Sequence, residues 1–82
     1  MKINVTLKHI SEGKPNCAPW CPIALAIQEA TGLPGSVGCT IYFVDNRAYM
    51  SSPEMKQFVD RFDRGLPVEP FTFEVPIAVA TN

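Results

Sequence analysis

Residues 17–32 read CAPWCPIALAIQEATG, with two cysteines and the only tryptophan standing directly before a segment almost free of polar side chains. Pro22 suits a first helical turn, where its missing N–H would have no partner anyway, and Gly32 suits a left-handed stop after Thr31. The stretch therefore predicts a helix over residues 22–31. Ile23, Ala24, Ala26, Ile27 and Ala30 cover most of its circumference, leaving Gln28 and Glu29 to face water. A helix apolar on this scale has to be covered on more than one side, by a sheet and by a loop or a second subunit. Trp20 and Cys21 then read as the closure of its buried end.

The flanking segments supply the sheet. In residues 2–9, Ile3, Val5 and Leu7 alternate with Asn4, Thr6 and Lys8, the period of two of a half-buried strand. SEGKPN follows with turn-forming residues, and Pro19 and Pro22 keep residues 11–21 irregular. After the glycine loop GLPGSVG, Val37, Cys39, Ile41 and Phe43 alternate with Gly38, Thr40, Tyr42 and Val44 and predict a second strand with its odd positions inward. Asp45 and Asn46 tolerate the positive φ of a tight turn, so residues 47–50 return as a short third strand.

Ser51 and Glu54 stand at capping-box spacing with Pro53 in the first turn, opening a second helix. Met55, Phe58, Val59 and Phe62 form its core stripe, and Lys56 with Asp60 and Asp60 with Arg64 are four apart on the outside. Gly65-Leu66-Pro67 ends it. Phe71, Phe73 and Val75 alternate with Thr72 and Glu74 in a last strand, and the tail IAVATN either extends it or packs on a partner. The predicted fold is α+β in the order β-α-β-β-α-β, one domain over residues 1–82: a small antiparallel sheet with two helices on one face, the ferredoxin-like or split βαβ plan. A three-stranded sheet with a hairpin extension is the nearest alternative. Asn4, Thr6, Lys8, Thr40, Tyr42, Val44, Thr72 and Glu74 make the outer face, where Tyr42 and Val44 offer a seat for a second copy.

Seven Lys and Arg against eight Asp and Glu give a net charge of −1. With the cations scattered among acids, nucleic-acid binding is disfavoured. The longest apolar run is too short to span a bilayer, and an odd number of cysteines fits an oxidised secreted framework badly. The expectation is a soluble, cytoplasmic protein without membrane association.

Three kinds of chemistry were weighed. His9, Cys17, Cys21 and Cys39 compose a Cys3His set for zinc, although a second close-spaced ligand pair is missing, and three reduced cysteines packed as small hydrophobes account for the same residues. Cys21 at a helix start is expected to carry a lowered pKa, and with His9 it would form a nucleophile pair, yet no nucleophile-turn motif surrounds it. No Walker loop, dinucleotide glycine motif, metalloprotease motif or carboxylate pair is present, so the expectation is a protein that is not an enzyme and needs no cofactor. Ligand binding fits better: His9, Lys14, Trp20, Ser36 in its glycine loop, Arg47 and Tyr49 combine rings for stacking with cations for phosphate. A homo-oligomer is expected.

His9-Ile10 followed by a glycine, the run Cys21-Pro22-Ile23-Ala24-Leu25-Ala26-Ile27, Phe58-Val59, and Phe62-Asp63-x-Gly65-x-Pro67-Val68-x-Pro70-Phe71-x-Phe73 recur together. In these landmarks the chain resembles a family of short open reading frames of tailed bacteriophages and prophages. Some members carry C-x-x-C before the helix, where this chain has C-x3-C. The resemblance implies an accessory protein that works by binding, with counter-defence a frequent task. One such strategy is a sponge, in which a small homo-oligomer holds a host immune nucleotide signal, ADP-ribose-like in chemistry, away from its effector. A protein-binding inhibitor of a host enzyme, with zinc as an optional staple, is the alternative.

Overall fold

A computed structural model describes residues 1–76; the tail, residues 77–82, lies outside the described residues. The architecture is α+β. Strands β1 (Lys2–Val5), β2 (Gly35–Val37), β3 (Ile41–Val44), β4 (Arg47–Met50) and β5 (Phe71–Glu74) accompany helices α1 (Leu7–Glu12), α2 (Pro22–Thr31) and α3 (Pro53–Asp63), with a single 3-10 turn at Ala18–Trp20. The order follows the expected β-α-β-β-α-β course with one helix and one strand added. The strands divide between two antiparallel sheets, β1 with β5 and β2-β3-β4 in that order. In the first, Ile3 lies opposite Phe73 and Val5 opposite Phe71, and Met1 and Val75 exchange backbone hydrogen bonds at 2.8 Å beyond its end.

The first strand is shorter than its alternation predicts. Thr6 leaves the sheet and caps α1: its hydroxyl accepts the His9 N–H, and its own N–H donates to His9 Nδ1 at 3.0 Å. This is a reciprocal cap with histidine where glutamate or glutamine is usual. Leu7, expected inside, is consequently 69% exposed, while His9 is buried.

Helix α2 occupies the predicted residues, and Gly32 adopts φ 75° beyond it. Ile23 and Ile27 are wholly buried. The cover comes from within the chain, since α1, β1 and β2 all pack on α2. Gly35 is where β2 comes closest: a Cβ there would stand 2.7 Å from the Ala24 carbonyl oxygen. Trp20 does not close the helix end. It is 50% exposed, with the Lys14 ammonium 5.5 Å from its ring centroid.

The predicted second strand is two strands. Gly38 donates to the Ile41 carbonyl at 2.8 Å in a tight reversal, and Val37 comes to lie opposite Tyr42. Residues directly opposite in an antiparallel pair point to the same face, so an inward Val37 sets Tyr42 and Val44 inward and turns Ile41 and Phe43 out. That inverts the expected phase, and with it the expectation that Cys39 packs in the core and that Tyr42 and Val44 seat a partner. Tyr42 instead stacks on Tyr49 at 5.4 Å and meets Phe73 edge-on at 5.7 Å, joining the two sheets. Phe71 continues the seam to Phe58 of α3 at 5.1 Å.

The cap of α3 is Ser52, whose hydroxyl accepts the Met55 N–H at 3.2 Å; Ser51 is buried, and its hydroxyl has no hydrogen-bond partner among the described residues. Met55, Phe58 and Val59 reach the core as the stripe predicts. Of the two predicted ion pairs on its outer face, Asp60–Arg64 forms, at 3.2 Å.

Candidate functional site

The amphipathic register that sends Met55, Phe58 and Val59 inward puts Lys56, Asp60 and Asp63 on one flank of α3, three and four residues apart. Asn16 comes to meet that flank. It adopts φ 59°, a left-handed conformation asparagine tolerates, donates its N–H to Asp63 Oδ1 at 2.9 Å and its side-chain amide to the Asp63 carbonyl at 3.4 Å. Between them lies a cleft of about 450 Å3 lined by Asn16, Cys39, Lys56, Asp60, Asp63 and Arg64, with Val59 at its base. It continues inward, through shared walls at Asn16, Cys39, Val59 and Asp63, into a recess of about 190 Å3 that reaches Cys17 and Cys21.

The charges of the outer cleft are not equally available. Asp60 holds Arg64, and Asp63 is committed to the Asn16 N–H. Lys56 forms no ion pair among the described residues. Asp60 and Arg64 thus offset each other, and Lys56 is the cation at the opening without an ion pair among the described residues.

Inside, the expectation for Cys21 is reversed. The N–H groups of Ile23 and Ala24 do favour its thiolate, but burial outweighs them and pushes the thiol up to about 11. It is a protonated thiol near neutrality. His9 is elsewhere: it lines a shallower cavity with Lys8, Glu12, Leu25, Gln28 and Glu29, and its ring is held between Thr6 and the Glu29 carboxylate. Because Nδ1 accepts the Thr6 N–H, Nε2 carries the proton given to Glu29. The alternatives of a Cys21–His9 pair and a Cys3His set are not assembled, and no group of three or more His, Cys, Asp or Glu among the described residues is placed to hold a metal ion.

Of the six predicted ligand-binding residues, Lys14 and Trp20 come together, joined also by a backbone hydrogen bond at 2.8 Å. Ser36 and Arg47 sit on the two strands flanking β3, opposite Phe43 and Val44 respectively, and Tyr49 is engaged with Tyr42. None of these five lines the cleft. Asn16, Lys56, Asp63 and Arg64, which do, lie in a turn segment and on the outer face of a helix in the sequence; the four-residue spacing along α3 is visible there, but its meeting with Asn16 is a contact across 47 positions. A second groove of about 360 Å3 runs between α3 and the approach to β5, floored by Phe58, Val68 and Phe71.

No helix among the described residues is long and apolar enough to cross a membrane. No family model, curated protein or solved structure matches the chain.

Proposed function

We propose that this chain is a small binding protein, of the phage accessory kind its sequence resembles, that sequesters an anionic nucleotide-type ligand without transforming it. The observation that carries the reading is the cleft beside α3. Its volume of about 450 Å3 lies within the range used by small-molecule sites, and Lys56 borders it with no ion pair among the described residues, while Asp60 and Arg64 hold each other and Asp63 accepts the Asn16 N–H. The reading moves the ligand from His9, Lys14, Trp20, Ser36, Arg47 and Tyr49 to Asn16, Lys56 and Arg64. His9 lines a separate cavity, away from the recess that holds Cys21, and burial keeps that thiol protonated, which supports holding over chemistry. Homo-oligomerisation belongs to the same reading: Ile41, Phe43 and Met50, exposed on the outer face of the three-stranded sheet, are apolar surface that a second copy would cover.

Equilibrium dialysis against ADP-ribose, followed by heat denaturation and chromatography of the released ligand, tests the proposal. Retention by the native chain, loss of retention in Lys56→Ala/Arg64→Ala and recovery of unaltered ADP-ribose are expected. A converted product, or no retention at all, overturns it. The exposed sheet face also favours a second reading, an inhibitor that docks Ile41, Phe43 and Met50 against a host enzyme; uptake of no nucleotide together with capture of one enzyme, abolished by Phe43→Lys, would select it.

A further inference from the structure

All three cysteines of the chain, scattered over positions 17, 21 and 39, meet at the inner recess of the cleft. All three are free, and they differ in access: Cys39 is exposed, Cys17 half-buried and Cys21 buried. The fold brings the first and last together in a definite way. Cys17 opens the 3-10 turn, its carbonyl accepting the Trp20 N–H at 2.9 Å, and that turn packs against β2. Cys39 lies in the reversal that follows β2, so the strand carries it back to the wall Cys17 occupies.

We propose that Cys39 and Cys17 form a reactive pair for thiol–disulfide exchange with a low-molecular-weight disulfide, Cys39 attacking and Cys17 resolving. The Cys39 thiolate bonds to one sulfur of the reagent; the reagent's S–S bond breaks, and its other half leaves as a thiolate that takes up a proton. The Cys17 thiolate then attacks Cys39 Sγ, the second half leaves in the same way, and a Cys17–Cys39 disulfide remains. The protein has lost two electrons and two protons, and the reagent has become two thiols. Exposure decides which thiol is attacked from solution, and shared walls of a small recess decide which one resolves. Cys21 is the spectator, shielded and kept protonated by its burial. The bridge would tie the loop carrying Asn16 to the β2–β3 reversal across the inner end of the cleft, narrowing it.

Oxidised glutathione is the probe, and intact mass with peptide mapping is the readout. The native chain is expected to lose two hydrogens and yield one Cys17–Cys39 peptide. Cys17→Ser should stop at a glutathione adduct on Cys39, Cys39→Ser should form neither product, and Cys21→Ala should still make the bridge. The same chain unfolded in denaturant is the control for the role of the fold, because chain entropy there favours the nearest pair, Cys17 with Cys21. A Cys17–Cys21 bridge in the native chain, a persistent adduct on Cys39 with Cys17 present, or no reaction overturns the proposal.

Discussion

Thr6 and His9 convert the end of a strand into a helix. The His9 ring accepts the Thr6 N–H on one side and binds Glu29 of α2 on the other, so one side chain both caps α1 and fastens it to the helix it covers. His9→Ala leaves the Thr6 N–H without its acceptor and opens a buried space, and should cost about 2 kcal/mol in urea denaturation. Glu29→Gln keeps an acceptor at a side chain that is 62% exposed and should cost under about 1 kcal/mol. Equal losses in the two variants would refute this account of the ring. Cys21 sets a pH dependence of defined sign. Its folded pKa, about 11, lies above the ordinary thiol value of 9.0, so between those pH values the unfolded chain loses its proton while the folded one keeps it. Stability is complete below pH 9 and should fall by roughly 2 to 3 kcal/mol as pH approaches 11. Tyr42, also raised by burial and by Tyr49, acts in the same direction from its ordinary value of 10.0 upward. Denaturation midpoints measured from pH 8 upward should therefore decline more shallowly in Cys21→Ala than in the native chain.

At the level of elements, two serines and two glycines separate what capping, packing and backbone strain contribute. Ser52 holds the Met55 N–H at the start of α3, so Ser52→Ala should destabilise by about 1 kcal/mol. Ser51 buries a hydroxyl with no partner among the described residues, and Ser51→Ala should leave stability unchanged or raise it. A larger loss at Ser51 than at Ser52 would return the cap to the residue that the capping-box spacing indicates. Gly35→Ala pushes a methyl group into the Ala24 carbonyl of α2 and should cost on the order of 2 kcal/mol, through separation of β2 from the helix. At Gly32 the obstacle is different: φ is 75° with open space around the Cβ position, and alanine there should cost about 1 kcal/mol by backbone strain alone. Thermal melts of the two variants rank these effects.

Across the whole molecule, an aromatic seam from Tyr49 through Tyr42 and Phe73 to Phe71 and Phe58 joins two small sheets to α3, while Ile41, Phe43 and Met50 remain on the opposite surface. If that surface mediates self-association as proposed, sedimentation equilibrium should show a dimer or larger species that Ile41→Lys/Phe43→Lys converts to monomer with its melting behaviour retained; a monomeric native chain would remove the oligomer from the functional reading. Helix α2, helix α3 and the strands β4 and β5 were legible in the amino-acid order because local chemistry decides them: Pro22 and Gly32 bound one helix, an i, i+3, i+4 stripe drives the other, and each strand alternates between turn residues. Helix α1 escaped because Thr6-x-x-His9 caps it with an unusual partner, and its first residues share the strand's alternation. The phase of β3 escaped because residues 37–44 alternate equally well on either face, and only the reversal at Gly38 chooses between them. By itself the sequence determined which segments must be hidden, since hydrophobic period and punctuation are properties of neighbours along the chain. The tertiary structure alone decided what lies beside what: His9 with Glu29, Asn16 with Asp63, and Cys39 at the recess that Cys17 and Cys21 line, join segments far apart in sequence, and no local pattern encodes them.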